Sequence, residues 1–297
     1  MIIAEIKSDI QTIEGDAKLF DEINFDNRVN AIDFIEFHII ERIDSLLQQS
    51  AVIEELQLLK QQAEDLKSRL EQIDNNLFIR LHEKIRAGSC IGAAFKTMID
   101  TYIKPDNNNG GQPGYDNLDI FLNGLFTDAA IPQPVSELEP EMVFYQKTPA
   151  RVVFELAEKA QLKHDDIFFD IGSGLGQVPL LVNLISGIVV KGVEFEPAYH
   201  NYAVACATKL SLPNVEFINA DARVVDYSAG NVFFMYTPFQ GQMLQDVLNL
   251  LNKESRRRII RIYTYGPCSP LVAMQNWLKC TNGQGNNIYK LYEFVSV

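Results

Sequence analysis

Three acidic side chains, each at or just past the end of an apolar run, are the groups in this sequence best placed to do chemistry together. Asp170 closes IFFD, Glu194 closes a run ending in GVE, and Asp221 follows VEFINA. After Asp170 come three glycines, Gly172, Gly174 and Gly176, and then apolar residues at helical spacing, so the stretch reads as strand, tight turn, helix. Backbone without a Cβ can take positive φ and approach a ligand closely, and the first N–H groups of the following helix face the same space. Carboxylates around such a turn can accept hydrogen bonds from ribose hydroxyls or an exocyclic amine. The chemistry implied is the cradling of a nucleotide-like ligand at the carboxyl edge of a parallel sheet.

Strands must hold those carboxylates, and the pattern after Met142 supplies them. Runs over 167–170, 188–194, 214–218, 232–236 and 259–265 read as strands. They alternate with helical spacing over 177–185, 197–210, 240–252 and 270–279, and the NGQG turn at 282–285 leads into a last strand over 288–295. Pro149 suits the first turn of a helix to residue 160, with Thr148 before it as N-cap. Such alternation predicts a mostly parallel sheet covered on both faces, closed by a hairpin-like antiparallel strand at one edge.

The front of the chain has a different texture. Ile32, Ile35, Ile39, Ile43 and Leu46 step at helical spacing, and Leu56, Leu59, Ala63, Leu66, Leu70, Ile73 and Leu77 form a heptad seam. A seam this short suits an intramolecular helical hairpin and leaves open a homodimer through the helical region. A further helix is expected over 91–103, a loop at PDNNNGGQPGYDN, a helical turn or two over 116–126, and an extended proline-spaced connection over 131–141. The expected division is an all-α N-terminal domain over 1–104, a linker with a short helix over 105–141, and an α/β domain over 142–297.

The net charge of −13 belongs to the front: residues 1–145 hold 26 acidic against 12 basic side chains, and the remainder 13 against 14. That balance works against phosphate backbones and favours a protein substrate over nucleic acid. Arg256, Arg257, Arg258 and Arg261 cluster between a helix end and a strand, where they suit the helix dipole better than a nucleic-acid patch. No apolar stretch is long enough to span a membrane, Glu5, Lys7 and Asp9 occupy the place of a signal-peptide core, and the four cysteines form no C-x-x-C pair. A cytoplasmic protein without a bound metal is expected.

The G-x-G-x-G spacing differs from the G-x-G-x-x-G of dinucleotide-binding turns. With Asp170, Glu194 and Asp221 in place, residues 142–297 resemble the class I, seven-β-strand S-adenosyl-L-methionine-dependent methyltransferases. The resemblance implies a Rossmann-like seven-stranded sheet. It implies that Asp170, Gly172, Gly174 and Gly176 form the cofactor turn, that Glu194 holds the ribose hydroxyls, and that Asp221 with Ala222 faces the adenine. The run from Tyr145 to Val182 is similar, more narrowly, to the non-SET histone lysine methyltransferases of the disruptor-of-telomeric-silencing type, through Tyr145, Thr148, Ser173, Gln177 and Val178, a likeness that adds Tyr145, Thr148, Ser173 and Gln177 to the expected cofactor-binding residues. After strand four the chain departs from that type. Tyr236, Thr237, Pro238 and Phe239 are similar to the (Asp/Asn)-Pro-Pro-aromatic turn of amino-group methyltransferases, with Thr237 in place of the acid or amide. Tyr236, Thr237 and Phe239 are accordingly the candidate catalytic residues, Tyr145 joining Tyr236 and Phe239 in the walls of an acceptor channel, with the Thr237 hydroxyl orienting an amine.

Overall fold

The computed structural model describes residues 2–48, 53–105, 114–126 and 129–297. The chain divides into two compact units, Met1–Lys84 with Thr97–Asn107, and Ile85–Lys96 with Asn108–Val297.

The first unit is helical. It contains α1 (Ile2–Gly15), α2 (Phe25–Phe34) continuing through a π-helical stretch at Ile35–Ile40 into α3 (Glu41–Leu47), most of the long α4 (Ile53–Arg86), and the latter part of α5 (Ala93–Tyr102). Leu56, Leu59, Ala63, Leu66 and Leu70 of the heptad seam are buried against Ile6, Ile10, Ile35, Ile39 and Ile43 of the same unit. Over these residues the seam packs against helices of the same unit. Arg28 is fully buried, and it is satisfied in full view: its Nε donates to Asp74 Oδ1 at 2.7 Å, and its other nitrogens donate to the carbonyls of Leu19, Asp21 and Glu22. Burial raises the Asp74 carboxyl to about 6 against the opposing pull of Arg28.

The second unit carries one seven-stranded sheet. Its strands are β1 (Ile167–Ile171), β2 (Val189–Glu194), β3 (Val215–Asn219), β4 (Val232–Met235), β5 (Arg261–Thr264), β6 (Leu278–Cys280) and β7 (Tyr292–Ser296), in the order β3-β2-β1-β4-β5-β7-β6. The five strands from β3 to β5 pair in parallel, and β7 is antiparallel to both β5 and β6. Order reverses between β1 and β4, the switch point at which open α/β sheets bind ligands. The helices are α6 (Asn117–Phe126), α7 (Ala150–Ala160), α8 (Gln177–Ser186), α9 (Pro197–Leu210), α10 (Gly241–Ser255) and the short α11 (Ser269–Ala273). β1, β4 and α8 are apolar on nearly every side because all are enclosed within the layers.

Three local expectations are corrected. The helix expected over 270–279 stops at Ala273, and the chain re-enters the sheet as β6, where Trp277 and Leu278 pack in the core with Phe294 and Tyr292. A three-residue strand is too short to show alternation. The last strand begins at Tyr292 rather than 288, leaving Tyr289 in a loop. Thr148 does not cap α7: Pro149 holds the N-cap position, and Asp119 of α6 accepts from the Ala150 N–H at 3.0 Å. That contact explains why α6 packs on α7 within the second unit, although the sequence places it in a linker. Much of the glycine-rich loop lies at 106–113, outside the described residues.

Candidate functional site

A pocket of about 650 Å³ opens at the carboxyl edge of the sheet. Gly172 and Gly174 line it, together with Glu194, Asp221, Ala222 and Tyr145, whose ring lies 5.3 Å from that of Tyr199 on α9, and with Tyr236, Thr237 and Phe239 of the turn after β4. Thr148, Asp170, Ser173, Gly176 and Gln177 lie outside the lining, most of them buried behind the glycine turn.

The turn is held by β2. Gly172 and Ser173 both donate their N–H groups to the Val193 carbonyl at 2.9 Å, and the Gly174 N–H donates to Glu194 Oε2 at 2.7 Å. All three glycines have positive φ. At Gly174 glycine is required twice, because a Cβ there would stand 2.2 Å from the Tyr145 ring. At Gly172 a Cβ would meet that of Pro238 at the same distance, so the turns after β1 and β4 are packed against each other.

Glu194 is a prepared acceptor. Its Oε1 takes the Glu196 N–H at 2.8 Å while Oε2 takes that of Gly174, fixing the carboxylate at the pocket wall. Burial raises its pKa, and the two N–H groups oppose the rise. Asp170, wholly enclosed and close to Glu194, is raised well above the ordinary carboxylate range by burial first and by its neighbour's charge second. Asp221 goes the other way: hydrogen bonds from the Arg223 guanidinium hold it below its usual value, and Arg223 also donates to Glu139 at 2.7 Å.

Residues 131–144 run extended and largely exposed, and hydrogen bonds pin them across this edge. Glu196 caps α9 through the Ala198 N–H and also accepts from the N–H groups of Val135 and Ser136 at 2.9 and 2.8 Å. Burial by itself would raise the Glu196 carboxyl, but these donors hold it lowered. Further along, the Glu141 carboxylate accepts from Gln242 and Met243 at the start of α10, and Met142 bridges Phe239 in antiparallel fashion. The strap thus lays Pro134, Leu138, Val143 and Phe144 along the pocket. Glu196 before Pro197 is an N-cap pattern readable in sequence; its second use, as a clamp on the strap, is not.

At the β4 turn, Thr237 sits at φ +44, unusual for a β-branched residue. Its hydroxyl accepts from the Cys268 N–H at 3.1 Å and donates toward the Tyr265 carbonyl at 3.4 Å. That hydroxyl is committed to the turn after β5. Phe239 is buried in the core beneath the pocket, and Tyr236, half-buried, packs on Tyr265 with ring centroids 5.2 Å apart. Burial pushes the Tyr236 phenol up to about 12 and raises that of Tyr145 as well.

Ser173 Oγ and Gln177 Oε1 are buried without a hydrogen-bond partner among the described residues, although Gln177 Nε2 donates to the Thr148 carbonyl at 2.9 Å. Orphaned polar atoms behind a glycine turn fit a buried water that carries donors. Two members of the basic cluster are engaged within the fold: Arg258 with Glu254 and the carbonyls of Tyr227 and Gly230, and Arg261 with Asp166 and Ala160. Among the described residues no cluster of metal ligands occurs, and no helix is long and apolar enough to cross a membrane.

No family model matches the chain, and no curated protein is similar to it. Similar solved structures include an RNA methyltransferase from Salinibacter ruber in complex with S-adenosyl-L-homocysteine, at 18% identity, 51% of this chain, 92% of that chain and TM-score 0.40. A SAM-dependent methyltransferase from Geobacter sulfurreducens in complex with the same ligand shares 23% identity over 42% of this chain and 53% of that one, with TM-score 0.34. One from Aquifex aeolicus shares 17% over 50% and 93%, with TM-score 0.39. The sheet itself, by its strand order, has the seven-stranded Rossmann-like architecture that the sequence resemblance implies.

Proposed function

We propose that the second unit is an S-adenosyl-L-methionine-dependent methyltransferase acting on a nitrogen of a protein, with the lysine ε-amine as the favoured acceptor. The observation that carries this reading is the Glu194 carboxylate, locked by the Gly174 and Glu196 N–H groups at the wall of a pocket lined by Gly172 and Gly174. A ribose diol would meet Glu194, with Asp221 and Ala222 toward the adenine. The four carboxylates of the lining, Glu137, Glu194, Glu196 and Asp221, suit a ligand with ammonium and sulfonium charges. When bound, the cofactor supplies an electrophilic methyl group on a sulfonium.

The work left to the chain is positioning, since in-line displacement needs an aligned lone pair more than it needs acid–base help. A lysine amine, with an unperturbed pKa near 10.4, must also shed a proton, and an apolar channel favours its neutral form. Tyr145 and Tyr236 would wall that channel, with Phe239 supporting them from the core. Thr237 would act by fixing the β4 and β5 turns against each other, its hydroxyl being already engaged. The narrower likeness to the non-SET histone lysine methyltransferases, through Tyr145, Thr148, Ser173, Gln177 and Val178, supports a protein acceptor. The acidity of the front half supports a basic one. In this reading the helical N-terminal domain offers the docking surface.

The anchored strap favours a second reading, a small-molecule methyltransferase whose pocket the strap encloses. Incubating a whole-cell lysate with methyl-labelled cofactor and either the wild type or Gly174→Arg separates the two. Label in protein bands, absent with the variant, supports the proposal; label confined to small molecules supports the second reading. Cofactor binding without transfer in any fraction would sink both.

A further inference from the structure

The strap over 131–144 is tied to the loops after β2, β3 and β4, each time at a residue close in sequence to a candidate site group. After β2, the Glu196 carboxylate accepts from the Val135 N–H through Oε1 at 2.9 Å and from the Ser136 N–H through Oε2 at 2.8 Å. The Glu196 N–H in turn donates to Glu194 Oε1 at 2.8 Å, so the strap and the candidate ribose acceptor belong to one hydrogen-bonded chain. After β3, Arg223 links Glu139 of the strap to Asp221. After β4, the Val143 N–H donates to the Pro238 carbonyl at 3.2 Å. Pro134, Ser136, Glu137 and Leu138 of the strap line the pocket with Glu194 and Glu196.

The ties are unequal. Glu196 is 3% exposed and both of its oxygens take strap donors, which makes charge-assisted bonds sheltered from water. The Arg223 and Glu139 side chains are partly exposed, where an ion pair contributes little. Burial does not hold this part of the strap either, since Val135 is 74% exposed. Glu196 also caps α9 through the Ala198 N–H at 3.0 Å, but an N-cap needs one oxygen, and glutamate is not among the residues preferred there. Its extra reach and its second oxygen are used on the strap.

We propose that Glu196 is a positioning residue that latches the strap over the cofactor end of the pocket, so that residues 134–138 retain the bound nucleoside and the latch sets how fast it leaves. The inference rests on the cofactor reading and adds to it the device that holds the ligand in. Releasing the strap opens the pocket without removing Glu194 or the glycine turn. Dissociation therefore quickens, while association, which needs the pocket open, does not slow.

Glu196→Asp separates latch from cap, because aspartate is a preferred N-cap and its carboxylate is one methylene too short to keep both strap donors. In stopped-flow measurements on the full-length protein, S-adenosyl-L-homocysteine should leave this variant about tenfold faster than the wild type, with association changed less than about twofold. Cleavage by a glutamyl endopeptidase after the exposed Glu137 reads the strap itself, and it should be about tenfold faster in the variant. Ser136→Pro deletes one strap donor without touching α9 and should speed dissociation about threefold. Unchanged dissociation in Glu196→Asp, faster dissociation without faster cleavage, or dissociation that quickens only where the melting midpoint falls, overturns the proposal. If the wild type binds no S-adenosyl-L-homocysteine, the cofactor reading fails, and cleavage of the two free proteins still decides the latch: equal rates exclude it.

Discussion

At the β2–β3 end of the pocket, the candidate cofactor groups sit on a strand end or within two residues of one, Glu194 fixed by backbone N–H groups and Asp221 by Arg223. At the β4–β5 end the candidate acceptor groups come from the turn after β4, which is fixed by the turn after β5. Glu194 and Gly174 are positioned by two hydrogen bonds of 2.7 and 2.8 Å, whereas Tyr236 rests on Tyr265, and the Thr237 hydroxyl spans two turns. A strand end can carry a ligand group on residues close in sequence, because the sheet fixes the distance between neighbouring ends. A loop assembly depends on closure of the whole unit, so it is free to vary the acceptor while the donor site stays the same.

The sharpest way to break the comparison is Gly174→Arg. With φ at +52 and Tyr145 2.2 Å from the new Cβ, cofactor affinity should fall by about a hundredfold or more in calorimetry. Next, Glu194→Gln removes a charged acceptor, and the expected loss of cofactor affinity is about 10- to 100-fold. Because the Glu194 pKa is raised in the free protein, wild-type affinity should decline as pH falls through that raised value, earlier than for an ordinary glutamate. The carboxylate is the acceptor, so protonation weakens binding; the Gln variant should be flat over that interval. On the other side, Tyr236→Ala should lower kcat/KM for the acceptor about tenfold and shift the cofactor Kd by less than about twofold. Equal effects on both quantities would dissolve the distinction between the two ends. The smallest effect expected is that of Arg223→Gln, which frees Asp221 without removing it and should weaken cofactor binding about threefold.

The uneven legibility of the molecule follows from the same difference. Asp170, the three glycines, Glu194 and Asp221 are readable because strand, turn and helix each have a short-range pattern. The parallel order and the antiparallel β7 follow from alternation and from the turn at 282–285. Three features escape for one physical cause, a long-range partner: the cap on α7 comes from Asp119, the start of α10 is capped by Glu141 a hundred residues earlier, and Glu196 ties α9 to the strap. β6 escapes because its three residues offer no period. Thr237 is visible as a departure from the acid or amide of amino-group enzymes, but nothing local shows that Cys268 engages its hydroxyl.

The central claim is that Glu194 and the glycine turn hold S-adenosyl-L-methionine. Calorimetric titration of S-adenosyl-L-homocysteine into the wild type and Glu194→Gln tests it most directly. Saturable one-site binding, weakened at least about tenfold in the variant, is the result expected. An absence of binding to the wild type, or the same affinity in both, would contradict it.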